Sequence, residues 1–460
     1  MLLLLACTPG EPAESAAPLE TETPDETSPP VDSPAPIDTA TGEDFCTHLP
    51  DSSGYEATVD RWVEQDELDP LDDEGWVVFT GSSSIRRWER VQQDFAAWGV
   101  IQRGFGGARL DEVALFSEDL ISRHAPSAVV VFAGTNDVAA GESADTVVQN
   151  FRCLVQRAPE VPIVFIGITP TPARWETWDT ADEVNRRAAA FAQTHPRVHY
   201  ADVAEAFLQT GQPPDASLFV ADQLHLSPAG YALWTAVIKP VLTQALEPGR
   251  EAPKAPRASG RVLVDLGPSN PDDGASTGTV NGQTWSNWHP LEGGAAVLAG
   301  EHVRLTTVEG SDAGLRLTIS GQFANNGLQN GGLTEPSEAA LGDLAVPTAT
   351  QDYFFTQGSD APGALVLSGF PPEATVRLRL FASRNWASER RVTRYVVTGA
   401  ERQDDAIVVS GPDIGGGGYD GNTSEVAEFT LQPDPYGQIV VDVQIEEGTY
   451  GYLALMEIAW

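Results

Sequence analysis

Trp76-Val77-Val78-Phe79-Thr80 runs straight into Gly81-Ser82-Ser83-Ser84. The first five residues read as a strand buried on both faces, and the small residues after it as the turn into the next element. The pattern recurs. Val100-Ile101-Gln102 is followed by Gly106-Gly107, and Ala128-Val129-Val130-Val131-Phe132 by Gly134-Thr135-Asn136-Asp137. Pro162 to Ile168 predicts a fourth strand and Arg197 to Ala201 a fifth. Helical patterns lie between them. Leu110, Val113, Leu120 and Ile121 share a face, as do Val147, Phe151, Leu154 and Val155. Ser227-Pro228 opens a last helix, with serine as N-cap and proline at the first helical position. Strands alternating with helices predict an α/β fold with a doubly wound, mostly parallel sheet.

Ligands of such sheets bind beyond the carboxyl ends of the strands, where the loops carrying Ser83, Gly107 and Asn136 fall. Asp222-Gln223-Leu224-His225 supplies what those loops lack. A serine hydroxyl is a poor nucleophile unless a base takes its proton. Imidazole titrates near neutrality, so His225 suits that task. A carboxylate must hold its tautomer and balance its charge, and Asp222 stands three residues before it. If the two share a helical turn, they lie on one face. The negative oxygen of a tetrahedral intermediate needs fixed donors. Candidates are the Ser83 N–H, the Gly107 N–H and the Asn136 side-chain amide. Each tetrapeptide alone also reads as a simple turn. Their order, each at a predicted sheet edge, favours acyl transfer. Trp175 reads either as a wall of the substrate pocket or as an exposed loop aromatic.

The segment from about Trp62 to Leu246 resembles the SGNH hydrolases, also called GDSL-type esterases and lipases. Four blocks carry the resemblance: Phe79-Thr80-Gly81-Ser82-Ser83-Ser84-Ile85, Arg103-Gly104-Phe105-Gly106-Gly107, Gly134-Thr135-Asn136-Asp137 and Asp222-Gln223-Leu224-His225. It implies a flavodoxin-like α/β fold with Ser83 as nucleophile. Gly107 and Asn136 are implied as oxyanion donors, with Asp222 and His225 completing the triad. Ser82 departs from the family, many of whose members carry aspartate there. Ile85 excludes the Gly-x-Ser-x-Gly elbow of α/β-hydrolases.

The remaining chain sets the frame. At 460 residues it can hold two domains with full cores. Residues 1–7 read as a signal-like segment, and Leu4-Leu5-Ala6-Cys7 resembles the bacterial lipoprotein cleavage box, implying lipidation at Cys7. Residues 8–45 are acidic and rich in Pro, Ser and Thr, and read as an extended tether. The catalytic domain is expected over 46–246 and a linker over 247–259. Cys46 and Cys153 would form one disulfide in an exported protein; the alternative is two thiols. With 27 Lys and Arg against 66 Asp and Glu, the net charge of −39 argues against nucleic acid as a partner. The seven histidines are scattered and Cys-x-x-Cys is absent, so neither metal nor cofactor is expected.

Beyond 260 the period changes to two. Val376 to Leu380 and Val441 to Ile445 alternate, and short strands read at Val262 to Leu266, Leu315 to Ile319, Ala364 to Leu367, Tyr395 to Val397 and Tyr452 to Ile458. This predicts an all-β sandwich or jelly roll over 260–460. Its two ends resemble galactose-binding-like and malectin-like modules. Trp285, Trp288, Trp386 and Tyr419 are candidate sugar platforms, with core packing as the alternative. Gly415 to Gly418 reads as a loop rather than a phosphate cradle. The sequence therefore points to an exported, lipid-anchored, monomeric serine esterase of the bacterial envelope or exterior. A small acyl ester or an acetylated polysaccharide is the expected substrate. A lipase or lysophospholipase, and a non-catalytic glycan-binding surface protein, are the other readings.

Overall fold

The computed structural model describes residues 44–47, 49–71, 75–246, 258–270, 272–327, 331–358, 362–411 and 420–460. Cys7, nearly all of the tether and of the linker, Tyr419 and the glycine run lie outside the described residues.

Five strands form a wholly parallel sheet: β1 (Trp76–Gly81), β2 (Gly99–Gly104), β3 (Ala128–Phe132), β4 (Ile163–Ile166) and β5 (Val198–Ala201). Their order, β2-β1-β3-β4-β5, is that of a doubly wound sheet. Alternate residues of each strand feed opposite cores. Val78, Ile101, Val129, Val131 and Phe165 pack with the helices Glu56–Leu68, Leu110–Leu115, Ala144–Arg157 and Trp178–Thr194. Val77, Phe79, Val130, Phe132 and Val164 face Pro228–Ala245 through Tyr231, Trp234, Ile238 and Leu242. The apolar runs of the sequence are strands covered on both sides, hence the lack of alternation.

Two local differences from the sequence reading have physical causes. The stretch from Leu110 to Ile121 is not one helix; it breaks at Phe116 into Leu110–Leu115 and Ser117–Leu120. The helix Glu56–Leu68 was not anticipated, because only Val59 and Trp62 among its apolar residues are buried and its stripe is narrow.

The C-terminal region is mostly antiparallel; among the described residues its sheets have seven, five, four and two strands, and the three larger ones pack about a main apolar core. Trp288 is 1% exposed and sits in that core; Trp285, 4% exposed, packs in a second cluster with Leu263, Phe381 and Leu455. Neither can be a sugar platform, which corrects that expectation. Trp386 is the opposite, 73% exposed. The single strand expected over Tyr452 to Ile458 is two, Tyr450–Leu453 and Leu455–Ala459, which belong to different sheets. Ala454 marks the crossing, donating to Phe381 O and accepting from Leu266 N. Short helices at Glu338–Leu341 and Pro347–Thr350 also interrupt a region read as purely strand.

The two regions meet through buried charge. Arg103 in β2 is fully buried; it donates to Asp66 Oδ1 at 2.6 Å and to the Gly300 carbonyl at 3.0 Å. Arg61 grips Glu301 with two nitrogens at 2.9 Å. Asp69 faces Arg304 and Arg316 at 3.2 and 3.4 Å, and its carbonyl oxygen lies 3.1 Å from His302 Nε2. The approach is close enough that a Cβ on Gly300, whose φ is +89°, would stand 2.0 Å from the Gln102 carbonyl oxygen. Only glycine fits there.

Candidate active site

Strand β1 ends at Gly81, whose φ of +133° leaves no room for a side chain, since a Cβ would strike the Phe132 carbonyl. The chain then turns into the short helix Ser83–Arg86. Three serines stand in this turn and only one reaches open space. Ser82 is completely buried; Ser84 is also buried, its carbonyl accepting from the Tyr231 hydroxyl at 2.8 Å. Ser83 lines a cavity of about 450 Å³ together with His225, Asn136 and Gly107.

Ser83 Oγ lies 2.8 Å from His225 Nε2, and His225 Nδ1 lies 2.6 Å from Asp222 Oδ2. The fold brings these residues together across 142 positions of sequence. Asp222 and His225 do not share a helical turn, as the i, i+3 spacing predicted. Asp222 Oδ1 instead accepts from the Leu224 and His225 N–H groups, both at 2.9 Å, and Gln223 takes a φ of +55°. This side-chain-to-backbone turn leaves Oδ2 free for the ring.

The charges suit proton transfer. Burial works against ionising Asp222, but its hydrogen bonds from the His225 ring and from two backbone N–H groups outweigh that and hold its pKa at about 2. His225 titrates below the ordinary imidazole value because burial disfavours the cation; the bond to Asp222 opposes this, and Arg87 and Arg174 reinforce it. The ring is therefore neutral at pH 7 and can accept a proton.

The third block is built in two parts. Asp137 is buried and accepts from Leu110 N, tying this loop to the start of the helix Leu110–Leu115. Asn136 turns towards the cavity. Its Nδ2 donates to Ala108 O at 2.9 Å, and its Oδ1 accepts from Arg174 Nη2 at 2.9 Å. The amide orientation is thereby set, and one Nδ2 proton remains for a ligand. Among the described residues, the Ser83 and Gly107 N–H groups have no acceptor. Three donors thus face one cavity.

The structure places Trp175 elsewhere. Its ring stacks on Trp178 at 6.2 Å and does not line the cavity, while its neighbour Arg174 does. Sequence reasoning missed Tyr55, Thr58, Arg86, Arg174 and Leu298 as lining residues. The proximity of Arg86 to Ser83 on one helical turn was a readable signal. Leu298 had none, since it arrives from the β-region. Glu301 accepts from Leu298 N at 3.0 Å and is held in turn by Arg61.

The structure joins Cys46 and Cys153, whose Cα atoms are 4.8 Å apart. Among the described residues, no group of three or more His, Cys, Asp or Glu could hold a metal, and no helix is long and apolar enough to cross a membrane.

No curated protein matches the sequence. Several solved structures are similar to part of it. A GDSL-like lipase from Bacteroides thetaiotaomicron is 22% identical, covers 41% of this chain and 99% of its own, and gives a TM-score of 0.38. The lipase/acylhydrolase from Enterococcus faecalis is 18% identical over 38% of this chain and 100% of its own, with a TM-score of 0.33. A carbohydrate esterase family 3 from Talaromyces cellulolyticus is 19% identical over 38% and 100%, with a TM-score of 0.32. The family model that matches is the GDSL-like Lipase/Acylhydrolase family, over residues 72–233, a stretch that takes in β1 to β5 and the loops of Ser83, Gly107, Asn136 and His225; this part of the chain is similar to that family.

Proposed function

We propose that the chain is an exported serine esterase that hydrolyses small acyl esters, with acetyl groups on a polysaccharide as its substrate class. The observation that carries this reading is the continuous line Ser83 Oγ, His225, Asp222 at the cavity wall. His225 takes the Ser83 proton as Oγ attacks the ester carbonyl. The Ser83 and Gly107 N–H groups and Asn136 hold the resulting oxyanion. The imidazolium then protonates the leaving alcohol, and water repeats the sequence on the acyl-enzyme. The Cys46–Cys153 bridge supports export, because disulfides persist in oxidising compartments. Lipidation of Cys7 belongs to the same reading. A cavity of about 450 Å³ with arginines in its wall suits a short acyl group better than a lipid tail. The exposed ring of Trp386 offers the β-region a surface for stacking a sugar.

Turnover of p-nitrophenyl acetate and labelling of Ser83 by a fluorophosphonate test the reading; an unlabelled, inactive protein sinks it. Asn136→Ala lowers kcat by on the order of 100-fold or more, with little change in KM, because the donor bond strengthens only as charge develops. A change confined to KM would make Asn136 a substrate-binding residue instead. The kcat/KM profile has its acid limb below pH 6.5. A base must be neutral to act, and the folded protein holds the pKa of His225 below its ordinary value, so activity falls only as pH drops through that lowered pKa. A limb above pH 7 would contradict the electrostatics of the site.

A further inference from the structure

The chain carries 27 basic against 66 acidic side chains, so acidic partners for arginine abound. Arg61, Arg103, Arg187, Arg261 and Arg394 each hold a carboxylate. The two arginines that line the catalytic cavity do not. Arg174 donates only to neutral oxygens, Thr135 Oγ1 at 2.8 Å and Asn136 Oδ1 at 2.9 Å. Arg86 has a buried Nε with no hydrogen-bond partner, and its guanidinium lies against Gly106. Among the described residues, neither makes a salt bridge. Burial works against the charge on both: Arg86 and Arg174 titrate below the ordinary guanidinium range, with Arg87 adding repulsion at Arg86.

Half-buried cations without counter-ions cost stability unless a ligand supplies the missing charge. Their placement shows where that charge would lie. Arg86 is three residues beyond Ser83 in one helical turn, so it flanks the nucleophile. Arg174 stands on the far side, beside Asn136. The acidic surface would repel an anion in bulk, so two unneutralised arginines at this one cavity are a local reversal of the protein's field.

We propose, resting on the ester-hydrolase reading above, that the natural substrate is an ester bearing an anionic group, a carboxylate or its like, within reach of Arg86 and Arg174. A guanidinium binds such a group with two parallel N–H bonds, and Arg86 has its donors uncommitted. Arg174 keeps three of its five after Thr135 and Asn136 take theirs.

Two substrate pairs test this and separate the two places the charge could sit. The first pair, 4-acetoxybenzoate and its methyl ester, varies charge on the alcohol side. The second, monoethyl succinate and diethyl succinate, varies it on the acyl side. The anionic member of one pair is expected to have a kcat/KM about 10-fold or more above its neutral partner, the scale of a hydrogen bond to a charged group. Raising salt lowers that ratio. Arg86→Gln and Arg174→Gln each lower it again, and Arg86→Lys restores part of it. No anionic preference in either pair overturns the proposal, while hydrolysis of the neutral esters leaves the ester-hydrolase reading standing. A preference untouched by both glutamine variants also overturns it. Calorimetric binding to Ser83→Ala gives a readout independent of turnover. There 4-acetoxybenzoate or monoethyl succinate binds more tightly than its neutral partner, and equal binding within both pairs counts against the arginines.

Discussion

Ser83→Ala lowers kcat on p-nitrophenyl acetate by roughly a million-fold, the scale seen when a serine nucleophile is removed elsewhere. The loss is large because no neighbour can take over. Ser82 is fully buried, and Ser84 is buried behind the turn. Folding survives, because among the described residues the Ser83 hydroxyl bonds only to His225 and the methyl group of alanine fits the same space. What activity remains comes from the oxyanion donors and from binding. The measurement is kcat beside the unfolding midpoint, with fluorophosphonate labelling followed by mass spectrometry. The double variant Ser83→Ala/His225→Ala should be no worse than Ser83→Ala, since residues that act as one unit do not add. Activity within a few-fold of the parent, or a label on Ser82 or Ser84, removes Ser83 from the role of nucleophile.

The sheet was legible because each strand carries its own signature. Five apolar runs stop at glycine or a turn, and all five became parallel strands within a few residues of their expected ends. The loops of Ser83, Gly107 and Asn136 followed from strand ends, and the structure gathers them around one cavity with His225. What stayed hidden depends on long-range packing. A polar helix with two buried apolar residues has little periodic signal, so Glu56–Leu68 was missed, and with it Tyr55 and Thr58 in the cavity wall. Trp175, readable in sequence either as a pocket wall or as an exposed aromatic, stacks on Trp178 outside the cavity, and its neighbour Arg174 lines it instead. Leu298 comes from the β-region, and no local pattern says which loop of one region will cover the cleft of another. The i, i+3 spacing of Asp222 and His225 was read correctly as proximity and wrongly as helix, because a capped turn gives the same nearness.

Arg103→Met destabilises the protein by roughly 3–5 kcal/mol, the usual cost of removing one partner from a buried ion pair. Methionine keeps much of the volume, so the effect isolates the charge. Asp66, Gly300 and the ring of Trp62 all lose a partner at once. The neighbours cannot compensate. His124 lies 3.6 Å from Asp66 and His302 lies 4.0 Å away, yet burial, aided by the Arg103 charge, keeps both rings neutral, with pKa values of about 2 and about 3. Asp66 already titrates above an ordinary carboxylate because it is desolvated, and Arg103 is the largest force holding it down. Without that charge its folded pKa climbs further above the unfolded value. A raised carboxylate pKa means the folded state binds more protons than the unfolded one, so stability falls as pH rises. The deficit of the variant is therefore expected to be larger at pH 8 than at pH 5. Urea unfolding followed by tryptophan fluorescence at both values measures it. Because Arg103 bonds to the Gly300 carbonyl and Leu298 stands two residues before it in the cavity wall, kcat/KM should fall along with stability, even at temperatures where the variant is fully folded. A variant that loses less than about 1 kcal/mol, the scale of a surface pair, would show that this contact between the two regions is solvated and that the cavity does not depend on it.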